Sequence, residues 1–559
     1  MVFRKGPLLA VLFFACLPLA AAAQTPPKNE LGRIQQRFQV PPESRARPAE
    51  RIQPLAVPGL PRSGREIDQG PVKFTLRALH VTGSTVYDDE AFRPFYAEFL
   101  GREVTLEALL AVSKRITKKY ADDGYVISRA SPPEKDPDAD GVVTIRVIEG
   151  YIEKVEWPET ITRYRDFFSD YAAKITADRP LNIRTLQHYL DTSDLPGLSF
   201  SYKWKPLRAS VGAYVLIVTV KEKHVDITIR IDNRATTILG PDESVSQVAF
   251  NNIFGQHESL TLSYGNAFKF GDLDYFAAKY RQVLNIEGLN FLLNGTYSNS
   301  RAGADLFFLN DRTRGTIFEA GMSYALKRSL ERNLTFTGKL FTSDTTSSLL
   351  GMPLTADRLN GVRISLDGDS VDSLKGSNQW NITLSQGFKG LGSTQTGSFF
   401  ASVPNGRADF TKVEGTISRT QPLTKEFSFY VSAYSQYGFN PELSPEQCGY
   451  GGRDFGRAFD PSQLFGDRCF MAIAELRYNV WDKASGYRPA TQLFTFIDYG
   501  EVTFAQILPG FERSDRATSA GAGVRFDWEH VKTDFVVAKA IDSEHEHDWR
   551  FFFTVTLKN

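Results

Sequence analysis

Residues 549–558 read WRFFFTVTLK. Side chains alternate across a strand with period two. Trp549, Phe551, Phe553, Val555 and Leu557 therefore share one face, and Arg550, Phe552, Thr554, Thr556 and Lys558 share the other. One such strand also fits a half-buried sheet in a soluble protein. Here the alternation is sustained from residue 226 to 559. Ile227, Ile229 and Ile231 alternate with Asp226, Thr228, Arg230 and Asp232. Leu260, Leu262 and Tyr264 continue the pattern, as do Phe318, Ala320, Met322 and Tyr324. Val362, Ile364 and Leu366 follow, then Trp380, Ile382 and Leu384. Turns rich in Gly, Asn, Asp and Ser separate these runs. Over such a length, one apolar and one polar face predict lipid outside and water inside, which is a membrane β-barrel. At about 20 residues per strand and connection, the segment holds about 16 antiparallel strands. Folded domains precede it, so the chain enters and leaves the barrel on one side, and the strand number is even.

The N-terminus supports export. Arg4 and Lys5 precede an apolar run, Leu8–Leu19, too short to span a bilayer as a helix. Ala21-Ala22-Ala23 offers a cleavage site, so residues 1–23 are predicted to be a signal peptide. No later stretch reads as a transmembrane helix. Aromatic residues make up 13% of the chain, in keeping with a barrel, and the formal net charge is zero. That balance gives no support for a nucleic-acid partner.

Residues 24–70 are rich in Pro, Arg and Gln and read as a linker. Within it, Asn29–Phe38 places Leu31, Ile34 and Phe38 on one side of a short candidate helix. Residues 71–150 carry a strand (FTLRALHVTG), a helical pattern over Asp88–Leu100, and a second helix capped by Thr105. The strands GYVISRA and GVVTIRVIEG follow. Residues 151–225 repeat the order: YIEKVEW, a helix through Tyr164, Phe167, Phe168, Tyr171 and Ile175, a second capped by Asn182, then FSYKWKPL and AYVLIVTVKEK. A β-α-α-β-β unit used twice predicts two similar small domains in tandem.

Inside the barrel segment one stretch breaks the alternation. Residues 449–470 read GYGGRDFGRAFDPSQLFGDRCF, a Gly-rich loop around Arg457; further on, residues 493–500 read LFTFIDYG. The latter is a strand with Phe496 and Asp498 on one face. Arg457 and Asp498 are expected to pair, facing the lumen because charge on the lipid side is costly. Cys448 and Cys469 flank the loop. In an oxidising compartment they can bridge, and closing a loop of about 20 residues would contribute roughly 3 kcal/mol. The alternative is two unpaired thiols.

Catalytic and cofactor motifs are absent. Gly451–Arg457 spaces its glycines like a phosphate loop, but Arg457-Ala458 stands where Lys-Ser/Thr is required. His545-Glu546-His547 lacks a third metal ligand. Asp136-Pro137-Asp138-Ala139-Asp140-Gly141 opens like a calcium loop, but Val147 stands at the position of the bidentate Glu. No enzyme activity, cofactor or metal is expected, and any transport should be passive or driven by its substrate.

The tandem β-α-α-β-β units resemble polypeptide-transport-associated (POTRA) domains. GSTVYDDEAF, ITKKYADDGYVISRA, VTIRVIEGYIEKV, DNRATTILGP and NNIFGQHESLTLSY resemble segments of two-partner secretion transporters. These form the haemolysin or filamentous-adhesin secretion/activation family, and the resemblance covers essentially the whole mature chain. It implies two periplasmic POTRA domains, at 71–150 and 151–225, before an outer-membrane barrel at 226–559. It also implies that a loop, 439–469, folds back into the lumen. The family's V-R-G-Y/F loop motif corresponds to Gly456-Arg457-Ala458-Phe459, and its F-x-D strand motif to Phe496-Ile497-Asp498; its Arg–Asp pair falls on Arg457 and Asp498. Gly466-Asp467 matches the family's G-D, Cys469 replaces a frequent Gly, and Asn29–Phe38 is the candidate plug helix.

The implied function is export of one large secreted passenger, of the adhesin or haemolysin class. Outer-membrane lipid and, during biogenesis, the barrel-assembly machinery are the other partners implied. The alternatives are an assembly insertase of the same superfamily, which usually carries more POTRA domains, and a diffusion porin, which needs none.

Overall fold

The computed structural model describes residues 73–131, 140–207, 210–236, 239–268, 273–302, 308–482, 484–485, 487–508, 511–542 and 548–559. The expected signal peptide, linker and plug helix lie outside the described residues, as do 136–139 of the acidic turn and His545–His547. The described chain divides into two units: residues 73–223 with 328–330, and the rest.

In the first unit, β1 (Lys73–Thr75) pairs with β3 (Glu103–Thr105). One three-stranded sheet has the order β2 (Ala78–Thr82), β5 (Val142–Ile148), β4 (Arg129–Ala130). A second has the order β6 (Tyr151–Glu156), β8 (Ala213–Glu222), β7 (Leu198–Pro206). In each, the first strand lies parallel to the last, which is central. That shared topology is the internal repeat.

Helix α1 (Leu106–Asp122) covers the first sheet with Leu109, Val112, Ile116 and Tyr120, one apolar stripe at helical spacing. The Thr105 hydroxyl caps it, accepting from the Ala108 N–H at 3.4 Å. α2 (Arg165–Ala177) buries Phe167, Phe168, Tyr171 and Ile175. α3 (Ile183–Leu186) starts at Asn182, whose side chain accepts from the Arg184 N–H at 3.1 Å and donates to the Asp123 carbonyl at 3.1 Å. The Ile183 N–H donates to the Gly124 carbonyl at 2.8 Å. One cap thus also joins the two repeats.

Two elements differ from the sequence reading. The expected helix over Asp88–Leu100 is instead two 3-10 segments, Asp89–Phe95 and Ala97–Phe99. Pro94 removes a backbone donor there and disfavours the α region at Arg93. The expected strand GYVISRA shrinks to Arg129–Ala130. Tyr125 and Ser128 donate their N–H groups to the Tyr120 and Tyr125 carbonyls, so these donors close turns rather than a ladder.

The second unit is a closed barrel of sixteen antiparallel strands, from β9 (Val225–Asp232) to β19 (Phe427–Gly438) and from β22 (Arg468–Trp481) to β26 (Trp549–Lys558). Each strand pairs with its sequence neighbour, and β26 closes on β9. Closure leaves no unpaired edge in the lipid. Leu262, Phe276, Phe318, Met322, Ile382, Ile417, Leu493, Ile497 and Phe551 are exposed on the outer face. The alternate positions turn inward, as the period-two reading expected.

Candidate functional site

Between β19 and β22 the chain leaves the wall. Residues 439–467 do not join the barrel sheet. They form a short 3-10 turn (Ser444–Glu446), strand β20 (Cys448–Tyr450), a Gly-rich tip and strand β21 (Leu464–Gly466). β20 and β21 pair as a hairpin. Cys448, Tyr450, Ala458, Phe459 and Leu464 are buried in one cluster with Phe494, Phe496, Val536, Ala538 and Phe552 of the wall. Those wall residues alternate with lipid-facing ones such as Leu493 and Ile497, so the loop lies in the lumen.

The base is held first. The carboxylate of Asp467 accepts from the Glu442 N–H at 2.9 Å, the Gln447 amide at 3.1 Å and the Ala505 N–H at 2.7 Å. Glu446, buried, pairs with Arg363 at 2.6 Å and Lys412 at 2.8 Å. These two cations stand on separate wall strands, β16 (Met352–Val371) and β18 (Thr411–Pro422). Cys448 and Cys469 are joined by a disulfide, which links β20 covalently to β22.

The tip is held on the opposite side of the hairpin, against β22, β23 (Ala490–Leu508) and β24 (Phe511–Asp527). Phe496 and Asp498 do share the lumen face. The sequence reading of the ion pair, however, is corrected. The Arg457 guanidinium pairs with Glu475 of β22 at 2.6 Å, not with Asp498. Asp498 instead accepts the Arg457 backbone N–H at 3.1 Å, the Tyr450 hydroxyl at 2.8 Å and the Ser519 hydroxyl at 2.6 Å. The reason lies in register. Glu475 stands directly across from Phe496, while Asp498 stands across from Ile473 and Ser519. The guanidinium lies over the Phe496 ring, 4.6 Å from its centroid, and so reaches past Asp498 to the next strand.

Glu475 also binds Arg477 at 2.7 Å and Arg525 at 3.1 Å. A second tip arginine, Arg453, pairs with Asp232, which also holds Arg230 at 3.0 Å. In the opposite sense, Asp460 of the tip pairs with Arg550 of β26 at 2.6 Å.

Gly456 takes φ +71°, and a Cβ there would lie 2.8 Å from the Gly451 backbone. Phe459 is buried beside Tyr450, ring centroids 5.6 Å apart. The loop, Arg457, Gly456, Phe459, Phe496 and Asp498 are thus legible in the sequence as members of one site. Glu475, Arg453, Asp232, Asp460 and Arg550 join them only in the structure. A signal for Glu475 was present: it is the first charge after two apolar residues, Met471 and Ile473, on the lumen face of MAIAELRYNVW.

Among the described residues no group of His, Cys, Asp and Glu side chains is placed to hold a metal ion.

Comparison with known proteins follows the same outline. A family model described as haemolysin secretion/activation protein ShlB/FhaC/HecB matches residues 212–526, and a ShlB-type POTRA domain model matches 74–150. The outer membrane transporter CdiB of Dickeya dadantii (strain 3937) is 24% identical over 425 residues, covering 74% of this chain and 74% of that protein. The solved structure of CdiB from Escherichia coli superposes with a TM-score of 0.67 at 20% identity, covering 91% of this chain and 94% of that one. BamA from Haemophilus ducreyi, lacking POTRA domains 1–3, superposes at 0.53 and 13% identity, covering 87% of this chain and 100% of that one. At such identities the structural likeness is one of fold.

Proposed function

The chain belongs to the haemolysin secretion/activation family and is an outer-membrane translocator of a secreted partner protein, and from that premise we propose how it works. The two repeats of residues 71–225 are POTRA domains in the periplasm. They capture the passenger unfolded, by adding its strand to a sheet edge or laying an apolar stretch in a groove. β7 is such an edge, hydrogen-bonded among the described strands only to β8. The barrel supplies a polar path through the lipid, and folding of the passenger outside gives export its direction.

The observation that carries this reading is the loop. Residues 439–467 fold into the lumen and are held to its wall by ion pairs, as a gated path for a polypeptide requires of its stopper. The loop occupies the lumen at rest, and Arg457 with Glu475 and Asp498 sets its position. A charge-assisted, shielded pair of this kind contributes about 1.5–3 kcal/mol. The passenger is of the adhesin or haemolysin class. Outer-membrane lipid surrounds the outward apolar face, and the barrel-assembly machinery inserts the chain. No catalytic step, cofactor or nucleic acid enters the cycle.

Arg457→Ala should lower passenger export severalfold while the barrel remains inserted, and Glu475→Gln should act in the same direction but less, because Arg457 keeps its backbone bond to Asp498. Passenger in the medium and barrel in the membrane are measured together. Unchanged export in Arg457→Ala would remove the role assigned to the loop.

A further inference from the structure

Two parts of the lumen loop are held in different ways. At the base, the hairpin and the segment before it are held through two buried carboxylates, Asp467 and Glu446. Of the wall cations on Glu446, Arg363 keeps Glu319 at 3.0 Å, but Lys412 has no comparably close second anion among the described residues. The Asp467 carboxylate takes all three of its donors from there and from Ala505. Lys412 is buried, and without Glu446 it would fall back on Glu414 at 3.7 Å. Detaching the base would strand buried charge. The disulfide between Cys448 and Cys469 then fixes it covalently to β22.

The tip, Gly451–Gln463, is the reverse. Every wall carboxylate that it touches has a second partner on the wall itself. Glu475 keeps Arg477 and Arg525. Asp232 keeps Arg230 and the Arg234 N–H. Asp498 keeps the Ser519 hydroxyl, and the Tyr450 hydroxyl of the hairpin. The tip can leave without stranding a wall anion. Burial of Phe459, its large apolar side chain, favours the seated state together with the ion pairs of Arg453, Arg457 and Asp460. The chain turns at Gly451 (φ +119°) and Gly452 (φ +117°) on one side and Ser462 (φ +54°) on the other, where it meets the hairpin.

We propose that, of the lumen loop, the tip alone, residues 451–463, moves aside when the lumen opens, about a hairpin that the Cys448–Cys469 bond keeps in place throughout. The inference rests on the gated-path reading above and names the part that moves. Thirteen residues tethered at both ends reach about 20 Å from the hairpin at most, so the excursion is bounded. The disulfide makes this a tethered plug: the tip reseats after each opening because its base has never left.

The test uses the full chain in planar lipid bilayers, with potassium chloride as the only permeant, and reads the frequency of large openings. In wild type, thiol labelling of the same sample reports the state of Cys448 and Cys469. Openings with both cysteines oxidised are expected, and openings that occur only after reduction would overturn the proposal. A second arm locks the tip. The Ala458 N–H lies 3.4 Å from the Ser519 hydroxyl, so A458C/S519C puts the two cysteines at a direct tip–wall contact, to be joined by a short bismaleimide. Locking should cut large openings at least tenfold relative to each single variant, with electrophoretic heat-modifiability confirming the folded barrel. A locked tip that opens as wild type does would overturn the proposal, whichever way the first arm falls. No passenger is present, so these outcomes are separate from the translocator reading, which fails only if no secreted protein depends on the chain.

Discussion

Gly500 decides whether the loop can seat. It follows Asp498 by two, so it too faces the lumen, and any Cβ there would overlap the Tyr450 ring. Gly500→Ala should push Tyr450 off Asp498 and loosen the hairpin, an overpacking cost of about 1–3 kcal/mol. Trypsin cutting after Arg453 or Arg457 in intact membranes measures it. Cleavage should quicken about tenfold, and an unchanged rate would show that the ring has room elsewhere. The same residue illustrates what a sequence conveys at this scale. Period two fixes which way Phe496, Asp498 and Gly500 point. It says nothing of which residues on the next strand stand opposite, because register between strands separated by a turn or a 29-residue loop is set by packing. The motif therefore points Arg457 at the carboxylate of Asp498. Only register brings Glu475 across from Phe496, where the guanidinium is bound.

At the scale of elements, the seam between first and last strands is the short one. β26 pairs with β9 only from Thr554 to Lys558, whereas β15 (Arg332–Leu349) pairs with β16 over its full length. Two asparagine side chains extend the seam. The Asn233 amide accepts from the Phe553 N–H and donates to the Phe551 carbonyl, both at 2.9 Å, standing in for a backbone peptide. At the other end the Asn559 side chain accepts from the Ile227 N–H at 2.9 Å. Each such bond contributes about 0.5–1.5 kcal/mol. Asn233→Ala should speed amide exchange at Phe553 severalfold and leave the β15–β16 amides unchanged. A uniform effect across the barrel would count against a local seam. Strand existence was readable almost throughout, because the lipid enforces alternation. Elements of the first unit were less so. Asp88–Leu100 has helical spacing, but Pro94 breaks the ladder locally, and the Tyr125–Ser128 donors are taken by turns.

At the scale of the whole molecule, sixteen strands, two repeats and a lumen loop describe one outer-membrane translocator. The even strand number followed from connectivity, and the repeat from its period. The identity of the passenger does not follow from either, because an unfolded chain is recognised through backbone edges and apolar surface that many sequences satisfy. The account therefore stands or falls on what leaves the cell. Mass spectrometry of culture medium and outer membrane, with and without this chain, tests that most directly. The account predicts loss of one large, β-rich protein from the medium while other outer-membrane barrels keep their levels. An unchanged medium, or a broad loss of barrels from the membrane, would contradict it.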